Sequence, residues 1–136
     1  MDLQAFYEDL LVKYEESHFR PQMPVEGDAV DTWYAGLNDL SPKQVVIYTP
    51  MISAVACEIA LVEAKDAADV EAVKAIFQAR IDYQTIDNGY GNPGAWYPAT
   101  VEEWQNNSRI VSNGNFVMLI VWNDCDQIVE DFNALF

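Results

Sequence analysis

The chain predicts an α+β fold: two ββα units forming a four-stranded, mostly antiparallel sheet with helices on one face, preceded by an N-terminal helix. Three observations carry that expectation. A strand-to-helix junction is written twice, as Glu58-Ile-Ala-Leu-Val-Glu-Ala-Lys-Asp66 and as Phe116-Val-Met-Leu-Ile-Val-Trp-Asn-Asp124. Each copy closes a hairpin and opens a helix, and neither can bury its apolar face alone. With 136 residues, 51% of them hydrophobic, the chain suffices for one domain with one real core, not two.

The elements follow in order. Leu3, Phe6, Tyr7, Leu10, Leu11 and Tyr14 recur at spacings of three and four, which predicts an amphipathic helix over 2–18 with Asp2 as its N-cap. Residues 20–43 read as an irregular linker, because Pro21, Pro24, Gly27, Gly36 and Pro42 break any period; a short helical turn fits Asp31 to Leu37. The first ββα unit spans 45–85. Its strands are Val45 to Thr49, rich in β-branched residues, and Val55 to Ala64. In the second, Val55, Cys57, Ile59 and Leu61 face a core, while Ala56, Glu58, Ala60 and Val62 make a mixed face. Asp66 is placed to cap a helix reaching about Gln84, with Val70, Val73, Ile76, Phe77 and Ile81 as its stripe.

Residues 86–107 form an aromatic loop region: Asp87 to Pro98 is rich in Gly, Asn and Pro, and Thr100 to Glu103 would then open a short helix as a capping box. The second ββα unit spans 108–136. Asn113-Gly114 suits a two-residue type I′ turn between Arg109 to Ser112 and Asn115 to Trp122. The latter strand is apolar on both faces, which makes it central. Asp124 with Gln127 then starts a helix that presents Ile128, Val129, Phe132, Leu135 and Phe136 to the core.

Charge excludes some partners. Against 22 Asp and Glu stand 7 Lys and Arg, for a net charge of -15. Such a surface repels phosphate backbones and anionic headgroups, so neither nucleic acid nor direct membrane contact is expected. No run approaches the length of apolar sequence that spans a bilayer.

The residues that carry chemistry are sparse. The single histidine, His18, ends the first helix, where the helix dipole favours it, and no triad partner lies near it in sequence. Cys57 reads as a buried free thiol; Cys125, at a helix N-terminus, stands where a thiol pKa is lowered. Neither Cys has zinc-ligand spacing with His18. Asp87 to Asn92 resembles a calcium loop, but an EF-hand would need its bidentate Glu where Pro98 stands. Glu102-Glu103 and Asp124 with Asp126 read as first-turn acids of helices. No metal and no cofactor are expected. What remains is aromatic: Tyr90, Trp96, Tyr97 and Trp104 cluster in the loop and short helix, as a platform for a sugar, a peptide or a partner protein, or as cover for the sheet.

Tyr34-x-x-Leu37, Pro50-Met51, Glu58-Ile59, Ala64-Lys-Asp66, Arg80 with Gln84, Tyr97-Pro98 and Gly114-Asn-Phe-Val117 together resemble a family of bacterial predicted lipoproteins, domain of unknown function four-three-five-eight. The resemblance covers most of the chain, from Gln22 onward. It departs at Thr85 to Trp96, which is longer than usual, and at Ser53, where the family often has Asn. It implies an extracytoplasmic domain of Gram-positive bacteria, held at the membrane only by a lipidated Cys upstream of this chain. No catalytic residue carries over. The expectation is a non-enzymatic binding or protein-interaction module of the cell envelope, with an unknown protein or a cell-wall or sugar ligand as partner. A cytosolic chaperone-like adaptor and a hydrolytic or thiol-dependent enzyme using carboxylates or Cys125 are the alternatives.

Overall fold

The structure, a computed structural model, describes residues 1–51, 56–85 and 98–136, without the side chains of Pro98 and Ala99. Its strands are β1 (Met23–Pro24), β2 (Gln44–Thr49), β3 (Glu58–Glu63), β4 (Ser108–Asn113) and β5 (Phe116–Val121). Its helices are α1 (Leu3–Lys13), α2 (Ala29–Trp33), α3 (Val70–Thr85), α4 (Pro98–Asn106) and α5 (Cys125–Asn133).

The strands form one antiparallel sheet in the order β1-β2-β3-β5-β4. The α+β class is as the sequence predicts, and the two hairpins meet where β3 pairs with β5, from Glu58↔Val121 to Glu63↔Phe116. A fifth strand joins the expected four: Met23 and Pro24 pair with Thr49 and Tyr48 at the edge, where proline's missing N–H costs the ladder nothing.

The helices do not share one face. Residues 58–62 of β3 and 117–121 of β5 are all buried, so these central strands need a layer on each side. On one side Ala60, Val62, Val117 and Leu119 pack with Val30 and Tyr34 from α2 and its end, Val73 and Phe77 from α3, and Trp104 from α4. On the other, Ile59, Leu61, Met118 and Ile120 pack with Leu3, Phe6 and Leu10 of α1 and Ile128 and Phe132 of α5. The repeated junction explains the split. Aligned by sequence, Glu58 stands against Phe116, yet Glu58 lies on the α3 side and Phe116 on the α5 side. One residue of slip in the pleat exchanges the faces, and the helices that follow leave to opposite sides. A two-fold relating antiparallel neighbours would run normal to the sheet and keep both helices together, so the two junctions share a pattern and not a symmetry.

Local chemistry adjusts the expected boundaries. Asp2 caps α1, accepting from the Ala5 N–H at 3.2 Å. The α-helix stops at Lys13, and the chain to residue 18 is a turn in which the Phe19 N–H donates to the Tyr14 carbonyl and the His18 N–H to Glu15. That is a Schellman closure with His18 in the left-handed position, φ 61°. Residues 20–43 are not a linker. Val25, Val30, Tyr34 and Leu37 are buried in the α3-side core, the last three at helical spacing that the intervening Gly36 disguised. A 3-10 turn, Ala67–Asp69, precedes α3, and neither Asp66 nor Asp124 makes a capping side-chain bond. Thr100 lies inside α4, which begins two residues earlier at Pro98. In the last hairpin Asn113 pairs with Phe116, so Gly114 and Asn115 are the turn. Only Gly114 of the two has positive φ, at 57°, which is not the type I′ pattern.

Candidate functional site

The mixed face of β3 holds the chemistry. Glu58 points into the α3-side core and is 1% exposed. Facing it, Val73, Phe77, Arg80 and Gln84 recur along α3 at spacings of four, three and four, and all are buried. The polar pair Arg80 and Gln84 thus extends an apolar stripe.

Arg80 meets Glu58 as a fork: Nε donates to Oε2 at 3.0 Å and Nη2 to Oε1 at 3.0 Å. The Tyr34 hydroxyl, just past the end of α2, donates to the same Oε2. Rings surround the guanidinium, with its Cζ 4.6 Å from the centre of Trp33, 5.3 Å from Trp104 and 5.8 Å from Tyr34. Burial alone would lower the pKa of Arg80, but the Glu58 carboxylate outweighs it and the net shift is upward. Burial, reinforced by the charge of Glu58, pushes Tyr34 well above the usual tyrosine value. The result is a closed, internally neutral pair with a protonated phenol.

Above this pair lies a cleft of about 470 Å³ between α2 and α3, lined by Thr32, Trp33, Ile76, Arg80, Tyr83 and Gln84, among others. Trp33 is 38% exposed and Tyr83 45%, whereas Gln84 is 5% exposed. Among the described residues nothing hydrogen-bonds the Gln84 side-chain amide. A buried amide ordinarily has a partner, so this one stands out.

The expected aromatic platform is placed only in part. Trp104 is 3% exposed and belongs to the core, its ring turned to Arg80 and not to solvent. Tyr90, Trp96 and Tyr97 lie outside the described residues. The thiols also depart from expectation. Cys125 does begin α5, but it is 2% exposed and burial raises its pKa, against a smaller lowering by Arg109. Burial pushes the Cys57 thiol up to about 12. Among the described residues no three His, Cys, Asp or Glu side chains gather as a metal site, and no helix is long and apolar enough to cross a membrane.

Composition and motif reading missed the cluster because its members are 22 and 24 residues apart and belong to no short motif. One signal was present: an acid within a strand of otherwise apolar residues, and an arginine on the buried stripe of a helix, each of which needs a partner.

The fold and site together define a small α+β domain whose central strand and longest described helix are clamped by a buried ion pair under an aromatic cleft. The chain belongs to the family described as Domain of unknown function (DUF4358), whose family model matches residues 15–122. Four of the residues that carry the resemblance, Tyr34, Glu58, Arg80 and Gln84, meet at this one place. Comparison with the curated proteins and with the solved structures returned no match.

Proposed function

We propose that this domain is a non-enzymatic binding module of the bacterial cell envelope, lipid-anchored through a segment upstream of the chain, that takes its ligand in the cleft between α2 and α3. The observation that carries the reading is a cleft that joins an exposed indole, Trp33, to a buried amide, Gln84, that nothing among the described residues hydrogen-bonds, over a floor tied by an ion pair. The floor is suited to holding rather than reacting. Glu58 accepts three hydrogen bonds from Arg80 and Tyr34, which occupies the carboxylate a general base would need free. The envelope address rests on the family resemblance.

Two experiments test the parts separately. A library of uncharged fragments, screened by 1H–15N NMR, is expected to yield ligands that shift the Trp33 indole and Gln84 side-chain cross-peaks; a library that moves neither refutes the cleft. Fractionation of the natural product with mass spectrometry of its N-terminus is expected to find a diacylated cysteine in the membrane fraction. An unmodified Met1 in the cytosol refutes the envelope address and leaves the cleft reading intact.

A further inference from the structure

The cleft constrains the chemistry of what it takes. Gln84 carries both a donor and an acceptor, and with 5% exposure it cannot satisfy them from bulk water. The ligand must therefore bring both. Charge narrows the choice from two sides. A chain of net charge -15 disfavours anions, and the one charged side chain among the described residues lining the cleft, Arg80, is already neutralised by Glu58, which leaves no fixed charge there to hold an ion. The ligand is uncharged.

Shape and surface narrow it again. None of the described residues lining the cleft belongs to a strand; all come from α2, the residues just after it, and α3. An extended peptide has no sheet edge to pair with there, so its backbone groups would go unmet. Trp33 has the guanidinium against its ring, yet it lines the cleft and the residue is 38% exposed. An indole face is electron-rich and attracts the polarised C–H groups that one side of a pyranose ring presents, while hydroxyls on the ring's rim supply donor and acceptor together. A cleft of about 470 Å³ is of small-ligand size.

We infer that the cleft binds an uncharged sugar, one pyranose laid on Trp33 with its hydroxyls on the Gln84 amide. This rests on the reading of the cleft as a binding site and specifies its ligand class.

The test is NMR titration of the 15N-labelled protein with four probes at millimolar concentration: cellotriose, the trimer of N-acetylglucosamine, the trimer of galacturonic acid, and an end-blocked alanine-proline tripeptide. Either uncharged trisaccharide is expected to shift the Gln84 side-chain and Trp33 indole cross-peaks, with the anionic trimer binding at least about tenfold more weakly. Gln84→Met should weaken the sugar at least about tenfold, and so should Trp33→Ala, whose exposed position keeps the test valid if the buried substitution fails to fold. Silent sugars, beside fragments or a peptide that still move those two cross-peaks, overturn the sugar and leave the binding site. Silence from every probe and every fragment overturns both. Sugar binding that leaves Gln84 and Trp33 unmoved also overturns the inference, since the site is then elsewhere.

Discussion

Arg80 and Glu58 join a helix to the central strand at two points, each 3.0 Å, with side chains 6% and 2% exposed. Removing one member leaves the other charged or polar and unpaired in the core. Glu58→Gln or Arg80→Met should each destabilise the domain by about 3–5 kcal/mol, read from urea unfolding. The pair Glu58→Leu with Arg80→Met should cost much less than the sum, because no orphan charge is left. Strict additivity would mean that the two side chains do not act together.

The hydroxyl on Tyr34 gives that pair a pH signature. Tyr34 is held above its ordinary value of 10.0 and Cys57 is raised from 9.0 to about 12. Both groups keep their protons longer in the folded chain than in the unfolded one, so their contribution is complete below pH 9 and declines as the unfolded thiol and then the unfolded phenol ionise. The urea midpoint should be level from pH 7 to 8.5 and fall steadily above 9. Tyr34→Phe should lower stability by about 1.5–3 kcal/mol at neutral pH, the loss of a hydrogen bond to a charged group, and make the decline above pH 10 shallower. A decline of unchanged steepness would separate the phenol from the effect.

How much of this was legible follows from the range of each interaction. The final hairpin was read nearly to the residue, since Asn113-Gly114 and the alternation after it are local; the structure moves the turn by one position because Asn113 prefers its ladder partner Phe116. The strand order was not legible, because it is set by the pairing of β3 with β5, Glu58↔Val121 to Glu63↔Phe116, between residues far apart in sequence. The two-sided helix packing is written in the sequence, in the unbroken apolar run of Phe116 to Val121, but the likeness of the two junctions conceals that their pleats present opposite faces. The Glu58, Arg80 and Tyr34 cluster was out of reach of any local motif. Trp104, read as part of a platform, is drawn inward by the same guanidinium.

The two described tryptophans beside Arg80 should therefore behave differently. Trp104 fills the core, and Trp104→Ala should cost about 3–5 kcal/mol. Trp33 is half-open and gives up mainly its contact with the guanidinium, so Trp33→Ala should cost about 0.5–1 kcal/mol. Thermal melts of the two variants check this. Equal losses would place Trp33 in the core and remove it as a ligand contact.

The glycine of the final turn isolates a backbone effect. Gly114 has φ 57° and nothing within 4 Å of where a Cβ would sit, so substitution there meets strain without collision. Gly114→Ala should cost about 1–2 kcal/mol, the left-handed penalty of an L-residue. Equal stability of the two proteins would show that the turn adopts another conformation.

Cys125 decides whether thiol chemistry is open to the folded domain. A helix N-terminus favours a thiolate, and Arg109 adds to it, but both are exceeded by the burial of a side chain that is 2% exposed. A thiol that is both protonated and shielded reacts only when the structure opens. Ellman's reagent at pH 8 should label neither Cys125 nor Cys57 on the timescale of a free thiol, and in sub-denaturing urea the two should label together, at a rate set by unfolding. Cys57→Ala should leave Cys125 equally protected. Prompt labelling of Cys125 in the native Cys57→Ala protein would show a reachable thiolate, and the thiol-dependent alternative would then have a nucleophile.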